Sequence, residues 1–317
     1  MRPLIVIRRI PNIDFMRLHK LGFAFSGLLT LGSILLFIFQ GLNYGIDFSG
    51  GTIIEVRSTS GPADLAAMRS SLDSLGLGDV SLQNFGGPGD VLIRLQRQPG
   101  SDQAQEHAVE IVKQKLGNSY DYRRTEVVGP TVGGELIRAG VIATVLALVA
   151  IAIYVWFRFE WQFGVGAMLS TLHDTITTVG LFALLRLEFN LTTLAAILTI
   201  AGYSINDTVV IYDRVRETMR KHKTMDFSDL INKSLNETLS RTILTVSTVA
   251  IAVLCLLVFG GEVLHGFSIA MLWGVVIGTY SSLFIAAPLL YYLQPKRSAK
   301  PGRAADAASP AETEEVS

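Results

Sequence analysis

The stretch "SINDTVVIYDRVRE", residues 204–217, places an aspartate inside an apolar run that begins near Leu191. Val209, Val210 and Ile211 follow Asp207 closely, so its carboxylate lies well inside the run. A carboxylate at that depth in hydrocarbon costs several kcal/mol unless it is paired, hydrated or protonated. Asp207 therefore needs either a structural partner or a function.

The run that holds Asp207 is one of six, and each is close to the length of about 20 residues that spans a bilayer as a helix. They cover residues 21–40, 136–157, 163–185, 191–212, 242–260 and 267–292. The chain is 50% hydrophobic and only 17% charged, below the roughly 25% of a soluble domain. The first run has no convincing cleavage site of small residues, so we interpret it as an anchored helix rather than a signal peptide. The sequence predicts a polytopic α-helical membrane protein with six transmembrane helices.

The basic residues predict the orientation of these helices. If each of the six runs crosses the membrane, the N-terminal segment, the second and fourth connections and the tail all lie on the same side. These segments contain 17 of the 27 Lys and Arg residues. Most of the others lie in or beside one long connection, which the positive-inside rule does not weigh. We therefore expect both termini, including the N-terminal segment 1–20, to be cytoplasmic.

The long connection, residues 41–135, is polar and predicts a separate domain on the outer side. Its strand and helix patterns follow one another in the order βαββαβ, with "GGPG" as a turn between two alternating segments. This order is typical of an α+β ferredoxin-like domain. A bundle of five helices, residues 136–293, completes the membrane part.

Two further segments have distinct compositions. The connection 213–241 is basic and amphipathic, which favours an interfacial helix ahead of the fifth span. Residues 294–317 contain Pro, Ala, Ser and Glu with almost no large apolar side chains, which predicts a disordered tail.

Several spans carry polar or small side chains on one helical face, which predicts close helix packing. In the third span these include His173 and Asp174, which are consecutive and so point about 100° apart. The sixth span repeats small residues every four positions. The polar face of the fourth span and the start of the fifth include Thr199, Tyr203, Asn206, Asp207, Arg241 and Thr245.

Two interpretations of Asp207 stay open at this point. A structural hydrogen bond to Tyr203 or Ser204 is one. The other is a carboxylate that takes up and releases a proton from a wet cavity, with Arg241 as the nearest candidate cation.

Four motifs carry a family resemblance. They are "LNYGIDFSGGT" at residues 42–52, "HD" at 173–174, "GYSINDTVVIYDRVRE" at 202–217 and "LSRTILT" at 239–245. In these motifs the chain resembles the SecF family, membrane subunits of the SecDF protein-export complex within the RND superfamily.

The resemblance implies a function and partners. It implies assembly with SecD, use of the proton-motive force to assist preprotein export through the SecYEG channel with SecA, and contact with a YajC-like accessory protein and membrane lipid in the bacterial inner membrane. It places Asp207 and Arg241 in a proton pathway. We add Asp174 and His173 to that pathway as candidates, with Asn206, Tyr203, Thr199 and Thr245 as a supporting polar face.

The sequence shows no nucleophile triad, metal cluster or phosphate loop, so we expect neither an enzyme nor a cofactor, metal or nucleic-acid site. Two alternatives remain. One is an RND-type exporter of small molecules or lipids, which normally needs two large external segments. The other is a passive scaffold whose polar groups only hold a complex together. The coupling ion, H⁺ or Na⁺, is also open.

Overall fold

The computed structural model describes residues 12–78, 80–84, 87–100 and 102–295. The first eleven residues of the predicted cytoplasmic segment and residues 296–317 of the predicted disordered tail lie outside the described residues.

The described elements follow one another along the chain. In order they are α1 (Phe15–Gln40), β1 (Asn43–Tyr44), α2 (Ile46–Ser49), β2 (Gly51–Ser58), α3 (Leu65–Asp73), β3 (Val80–Asn84), β4 (Asp90–Gln96), α4 (Asp102–Leu116), β5 (Tyr120–Val128), α5 (Pro130–Arg158), α6 (Trp161–Leu185), β6 (Glu188–Phe189), α7 (Leu191–Lys221), α8 (Phe227–Phe259), α9 (Gly261–Ser281) and α10 (Ala287–Leu293). A short π-helical segment, Ser282–Ala286, joins α9 to α10.

Six helices in the described part of the chain are long and apolar enough to cross a membrane: α1, α5, α6, α7, α8 and the continuous stretch Leu264–Leu293. The chain is therefore a multi-pass membrane protein. Side-chain caps fix where several of these helices begin. Asp14 accepts a hydrogen bond from the backbone N–H of Arg17, and Asn190 accepts one from that of Thr193.

The six helices do not contribute equally to the interior. About half of the apolar window is buried in α6 and α7 and somewhat more in the sixth span, whereas α1, α5 and α8 are mostly exposed at their apolar surfaces. The single chain thus has a packed centre of three helices and three helices around it.

The connection 213–241 differs from the prediction. It contains no separate interfacial helix, because α7 continues to Lys221 and α8 begins at Phe227, with only a short turn between them. Leu230, Ile231 and Leu235 are fully buried against the end of α7 and the α10 region. The amphipathic pattern therefore marks a helix that packs on the protein rather than on the membrane surface.

The polar connection between α1 and α5 forms a small α+β domain. Strands β3, β4, β2 and β5 lie side by side in that order, and each neighbouring pair is antiparallel. With α3 and α4, the elements from β2 to β5 follow the order βαββαβ. Their core contains Ile54, Leu72, Ile93 and Val112, all essentially inaccessible to solvent.

Small residues allow the central helices to approach closely, as the four-residue spacing in the sixth span predicts. A Cβ atom added at Gly274 of α9 would collide with the side chain of Ile200 on α7. Ala270, one turn earlier, is also fully buried. The structure confirms close packing along this face.

Gly274→Ala should therefore destabilise the helical bundle by about 1–3 kcal/mol, because the added methyl group overpacks the α7–α9 contact. The control is Gly27→Ala on α1, where an added Cβ meets nothing within 4 Å. Thermal unfolding in detergent should show a lower midpoint for the first variant only. Equal midpoints would contradict this account of the packing.

Candidate functional site

A buried carboxylate, Asp174 of α6, is the centre of a polar cluster among the three central helices. Its side chain is 0% exposed. Oδ2 accepts hydrogen bonds from the hydroxyl groups of Ser204 on α7, at 2.6 Å, and Ser281 on α9, at 2.8 Å. Oδ1 lies 3.0 Å from Nδ1 of His173. One carboxylate thus binds groups from all three helices.

Further hydroxyl groups extend the cluster. Ser170 donates to the Oγ atom of Ser281 at 2.9 Å. The hydroxyls of Thr208 and Ser282 lie 2.7 Å apart. Because hydrocarbon offers no partners to polar groups, such contacts make the packing of the three helices specific.

The π-helical segment at Ser282–Ala286 belongs to the same region. Ser282 begins the segment and contacts Thr208, while the carbonyl of Ala286 accepts a hydrogen bond from the Tyr212 hydroxyl at 3.2 Å. Single π turns inside α-helices often occur at functional sites. Here the irregular turn supplies two polar contacts to α7.

Asp207 lies apart from this cluster, three residues after Ser204 on α7, or about 4.5 Å further along the helix. Its side chain is buried, with the residue only 4% exposed, and Oδ2 has no hydrogen-bond partner among the described residues. The Ser204 hydroxyl, a proposed structural partner, binds Asp174 instead. The Tyr203 hydroxyl is likewise buried without a partner in the described part of the chain.

The guanidinium of Arg241 is within electrostatic range of the Asp207 carboxylate across the α7–α8 interface. Arg241 itself lies at the exposed surface of the single chain. The buried carboxylate thus faces a surface rather than the centre of the bundle.

The remaining predicted residues line this same surface. Thr199 and Asn206 are exposed, and Tyr203 and Thr245 are half-buried. The hydroxyls of Thr199 and Thr245 donate only to carbonyls of their own helices, at 2.8 and 2.9 Å. The structure therefore divides the predicted residues into two groups. His173 and Asp174 are in the buried cluster, and the other six are at the α7–α8 surface.

Two serines have a role in this cluster that the sequence does not show. Ser204 is expected from the sequence only as a partner of Asp207, and Ser281 has no expected role. One signal was available: Ser281 follows Gly274 by seven residues, which places it on the helix face that packs against α7.

Comparison with known proteins gives the family of the chain. A family model described as "Protein export membrane protein SecD/SecF, C-terminal" matches residues 108–296, and one described as "SecD/SecF GG Motif" matches residues 35–61. A protein translocase subunit SecF from Rickettsia rickettsii (strain Sheila Smith) is 46% identical over 291 residues, covering 90% of this chain and 94% of the relative. The chain belongs to the SecF family.

Other members of the family and solved structures agree with this assignment. The SecF subunit of Rickettsia bellii (strain OSU 85-389) is 45% identical over 93% of this chain and 98% of its own length. The crystal structure of SecDF from Thermus thermophilus, described as a translocon-associated membrane protein, superposes with a TM-score of 0.77 at 34% identity. A second SecDF structure, in a super-membrane-facing form, gives 0.70. This chain spans 93% of its own length in both comparisons but only 40% of each SecDF chain.

In this SecF-family chain, the backbone conformation and a close contact explain why glycine occupies positions 50 and 51. Both residues have positive φ angles, of 74° and 148°. A Cβ atom on Gly51 would lie 2.5 Å from the backbone oxygen of Leu95. Only glycine therefore fits where β2 begins beside β4.

The Asp174 cluster should contribute to stability through its hydrogen bonds. Asp174→Ala removes the acceptor of two buried hydroxyls, so we expect a loss of about 1–3 kcal/mol. Thr199→Ala is the control, because that hydroxyl binds only its own helix at an exposed position. Detergent unfolding midpoints measure the difference, and an Asp174→Ala midpoint as high as the control's would refute the structural role.

Proposed function

We propose that this chain is the SecF-type subunit of a complex that uses the proton-motive force to drive preprotein export across the bacterial inner membrane. Membership of a family whose relatives are named protein translocase subunits supports the role in export. It acts as a transport subunit rather than as an enzyme. The observation that supports the proton-driven part is the placement of Asp207, a buried carboxylate at the α7–α8 surface.

The partner in this proposal is SecD. The chain accounts for only 40% of each solved SecDF chain, which supports a second subunit for the remainder. The α7–α8 surface supports it independently, because Asn206 and Arg241 are exposed there within otherwise apolar spans. Lipid cannot satisfy such groups, so a second set of helices covers them.

Proton transfer is the best explanation of a carboxylate placed like Asp207. A carboxylate inside a hydrogen-bonded cluster, such as Asp174, fills its acceptor sites with donors. Asp207 instead has a buried oxygen without a partner among the described residues, with the Arg241 cation at the edge of the α7–α8 surface. A protonation change there costs no existing hydrogen bond in the described structure, and the partner subunit can supply the route for the proton.

The energy that proton movement releases is large enough to drive a conformational change. One proton that crosses a potential of 100 mV releases about 2.3 kcal/mol. Moving a two-state equilibrium from 1:99 to 99:1 takes about 5.5 kcal/mol. A few protons per cycle are therefore enough to change the conformation of the complex.

In this proposal both termini lie in the cytoplasm, and the βαββαβ domain is a ferredoxin-like domain in the periplasm. The complex works beside the SecYEG channel and SecA, with a YajC-like protein as an accessory. The strand order β3-β4-β2-β5 supports the ferredoxin-like assignment, and the basic-residue asymmetry supports the orientation.

Substitutions at Asp207 test the proposed mechanism. Asp207→Asn keeps the size of the side chain but cannot exchange a proton, so it should abolish the gradient-stimulated part of preprotein export. Asp207→Glu should retain some of it, and Arg241→Met should resemble the Asn variant. Export into inverted membrane vesicles, with and without a proton gradient and at matched expression, measures the effect.

Asp213→Asn is the matched control. It changes another aspartate of α7, which pairs with Arg158 at 3.0 Å, and should keep full stimulation. ATP-driven export without a gradient should persist in every variant. Full gradient stimulation of Asp207→Asn would leave the chain as a passive scaffold. Equal stimulation by a sodium gradient alone would instead identify Na⁺ as the coupling ion.

The proposed orientation predicts which side of the membrane each loop faces. In a Cys255→Ser background, a cysteine at Ser70 on α3 should react with a membrane-impermeant thiol reagent added from the periplasm. A cysteine at Thr224, between α7 and α8, should react only from the cytoplasm. Both positions are exposed in the structure, so burial cannot cause a negative result. The reverse pattern would overturn the proposed topology.

A further inference from the structure

The loop between α6 and α7 joins the helix that carries Asp174 to the helix that carries Asp207. This loop does not hang free. Its strand β6 pairs in parallel with β1, matching Asn43 with Glu188 and Tyr44 with Phe189. Arg186 donates to the carbonyl of Gln40 at the end of α1, at 2.9 Å. The loop is therefore tied to the segment that leads from α1 into the small domain formed by β2 to β5, called the outer domain below.

Helix α2, which precedes the outer domain, also holds the start of α7. Asp47 accepts a hydrogen bond from the backbone N–H of Leu191, the first residue of α7, at 3.0 Å. The Phe48 ring stacks on that of Phe189, with centroids 5.8 Å apart. A displacement of α2 would thus move the first turn of α7.

One ion pair joins the outer domain itself to this loop. Arg94 on β4 donates to the carboxylate of Glu188. Their side chains are only 14% and 28% exposed. Within the part of the chain that the structure describes, no other ion pair connects the sheet of the outer domain to a loop of the membrane helices.

The surroundings of this pair are polar and incompletely packed. The pair lies at the wall of a cavity of about 430 Å³ between the sheet and the loop, which Asn43, Ser81 and Arg97 also line. Burial raises the pKa of the Glu188 carboxyl and nearby Asp47 adds to that, whereas Arg94 acts in the opposite direction. Arg94 is therefore the group that keeps a charged carboxylate acceptable at this position.

We infer that Glu188 is a positioning residue, which through Arg94 couples the orientation of the outer domain to the start of the helix that carries Asp207. The sheet connects to the membrane helices through two chain crossings, at Gly50–Gly51 and at Gly129. The ion pair adds an attachment away from those crossings, in addition to the contact between β3 and α9. With the ion pair, rotation of the domain and displacement of α7 occur together, and its loss uncouples them.

This inference rests on the proposed function, in which proton transfer at Asp207 drives movement outside the membrane. Glu188→Gln and Arg94→Gln, in the assembled complex, should each lower gradient-stimulated export by about fivefold or more, the usual range for a coupling free energy between two sites. ATP-driven export should stay unchanged. The reversed pair, Arg94→Glu with Glu188→Arg, should recover a large part of the stimulation.

Arg97→Gln is the control, since Arg97 lines the same cavity but is exposed. A second measurement reports the coupling directly. Spin labels at cysteines replacing Ser70 on α3 and Leu185 at the end of α6, in a Cys255→Ser background, give the distance between the domain and the bundle. We expect a broader distance distribution in both Gln variants and a narrow one in the parent, the Arg97→Gln control and the reversed pair.

The outcomes separate this inference from the proposed function. If Asp207→Asn loses gradient stimulation while Glu188→Gln and Arg94→Gln keep both stimulation and a narrow distance distribution, the inference is wrong and the proposed function stands. If Asp207→Asn keeps full stimulation, the proposed function fails. In that case a narrow distance distribution in Glu188→Gln and Arg94→Gln also rejects the coupling of the outer domain to α7, and a broad distance distribution supports it. Loss of stimulation that the reversed pair does not recover, with an unchanged distribution, would also overturn the inference.

Discussion

Polar groups within the membrane must find their partners inside the protein, and the Asp174 carboxylate shows how this constraint organises the bundle. Oδ2 binds hydroxyls from α7 and α9 at once, at 2.6 and 2.8 Å. These contacts require the small residues that let the three helices approach, such as Gly274. A hydrophobic contact would permit helices to slide or rotate, whereas a shared acceptor fixes their register. Polar contacts therefore hold the three central helices together, and the other three helices surround them.

Asp207 contrasts with the Asp174 carboxylate. The same helix carries both situations one turn apart: Ser204 completes the Asp174 cluster, while Asp207 has a buried oxygen without a partner among the described residues and faces the α7–α8 surface. The folded state bears the cost of that placement, which the hydrogen bonds of the cluster help to offset. A site that must change its protonation state benefits from packed neighbours and from few hydrogen bonds of its own. The arrangement of α7 supplies both.

The sequence was sufficient to predict the six spans, because each is a long apolar run with polar ends. It also predicted the order of strands and helices between α1 and α5. It failed at residues 213–241, where an apolar stripe beside basic residues looks the same whether it packs on lipid or on protein. Leu230 and Leu235 pack on protein. Only tertiary structure separates those two cases.

At the site, the sequence predicted the unusual residues but not their partners. A carboxylate in an apolar run is conspicuous, so Asp174 and Asp207 were found. Serine is common in membrane helices and binds its own helix readily, so no local pattern shows that Ser204 and Ser281 converge on Asp174.

The attachment of the outer domain shows a similar limit and a physical consequence. Arg94 and Glu188 are far apart in sequence, and neither lies in a motif that suggests a pairing. Yet their position decides what the domain can transmit. A domain that is tied to the loop by a partly buried ion pair as well as by its two chain crossings must, when it rotates, either break that pair or displace the loop between α6 and α7. Because that loop leads directly into α7, and because α2 holds both Phe189 of the loop and the N–H of Leu191, the displacement passes into the helix that carries Asp207. The restraint works in both directions, so a change at the carboxylate that shifts α7 also moves the domain.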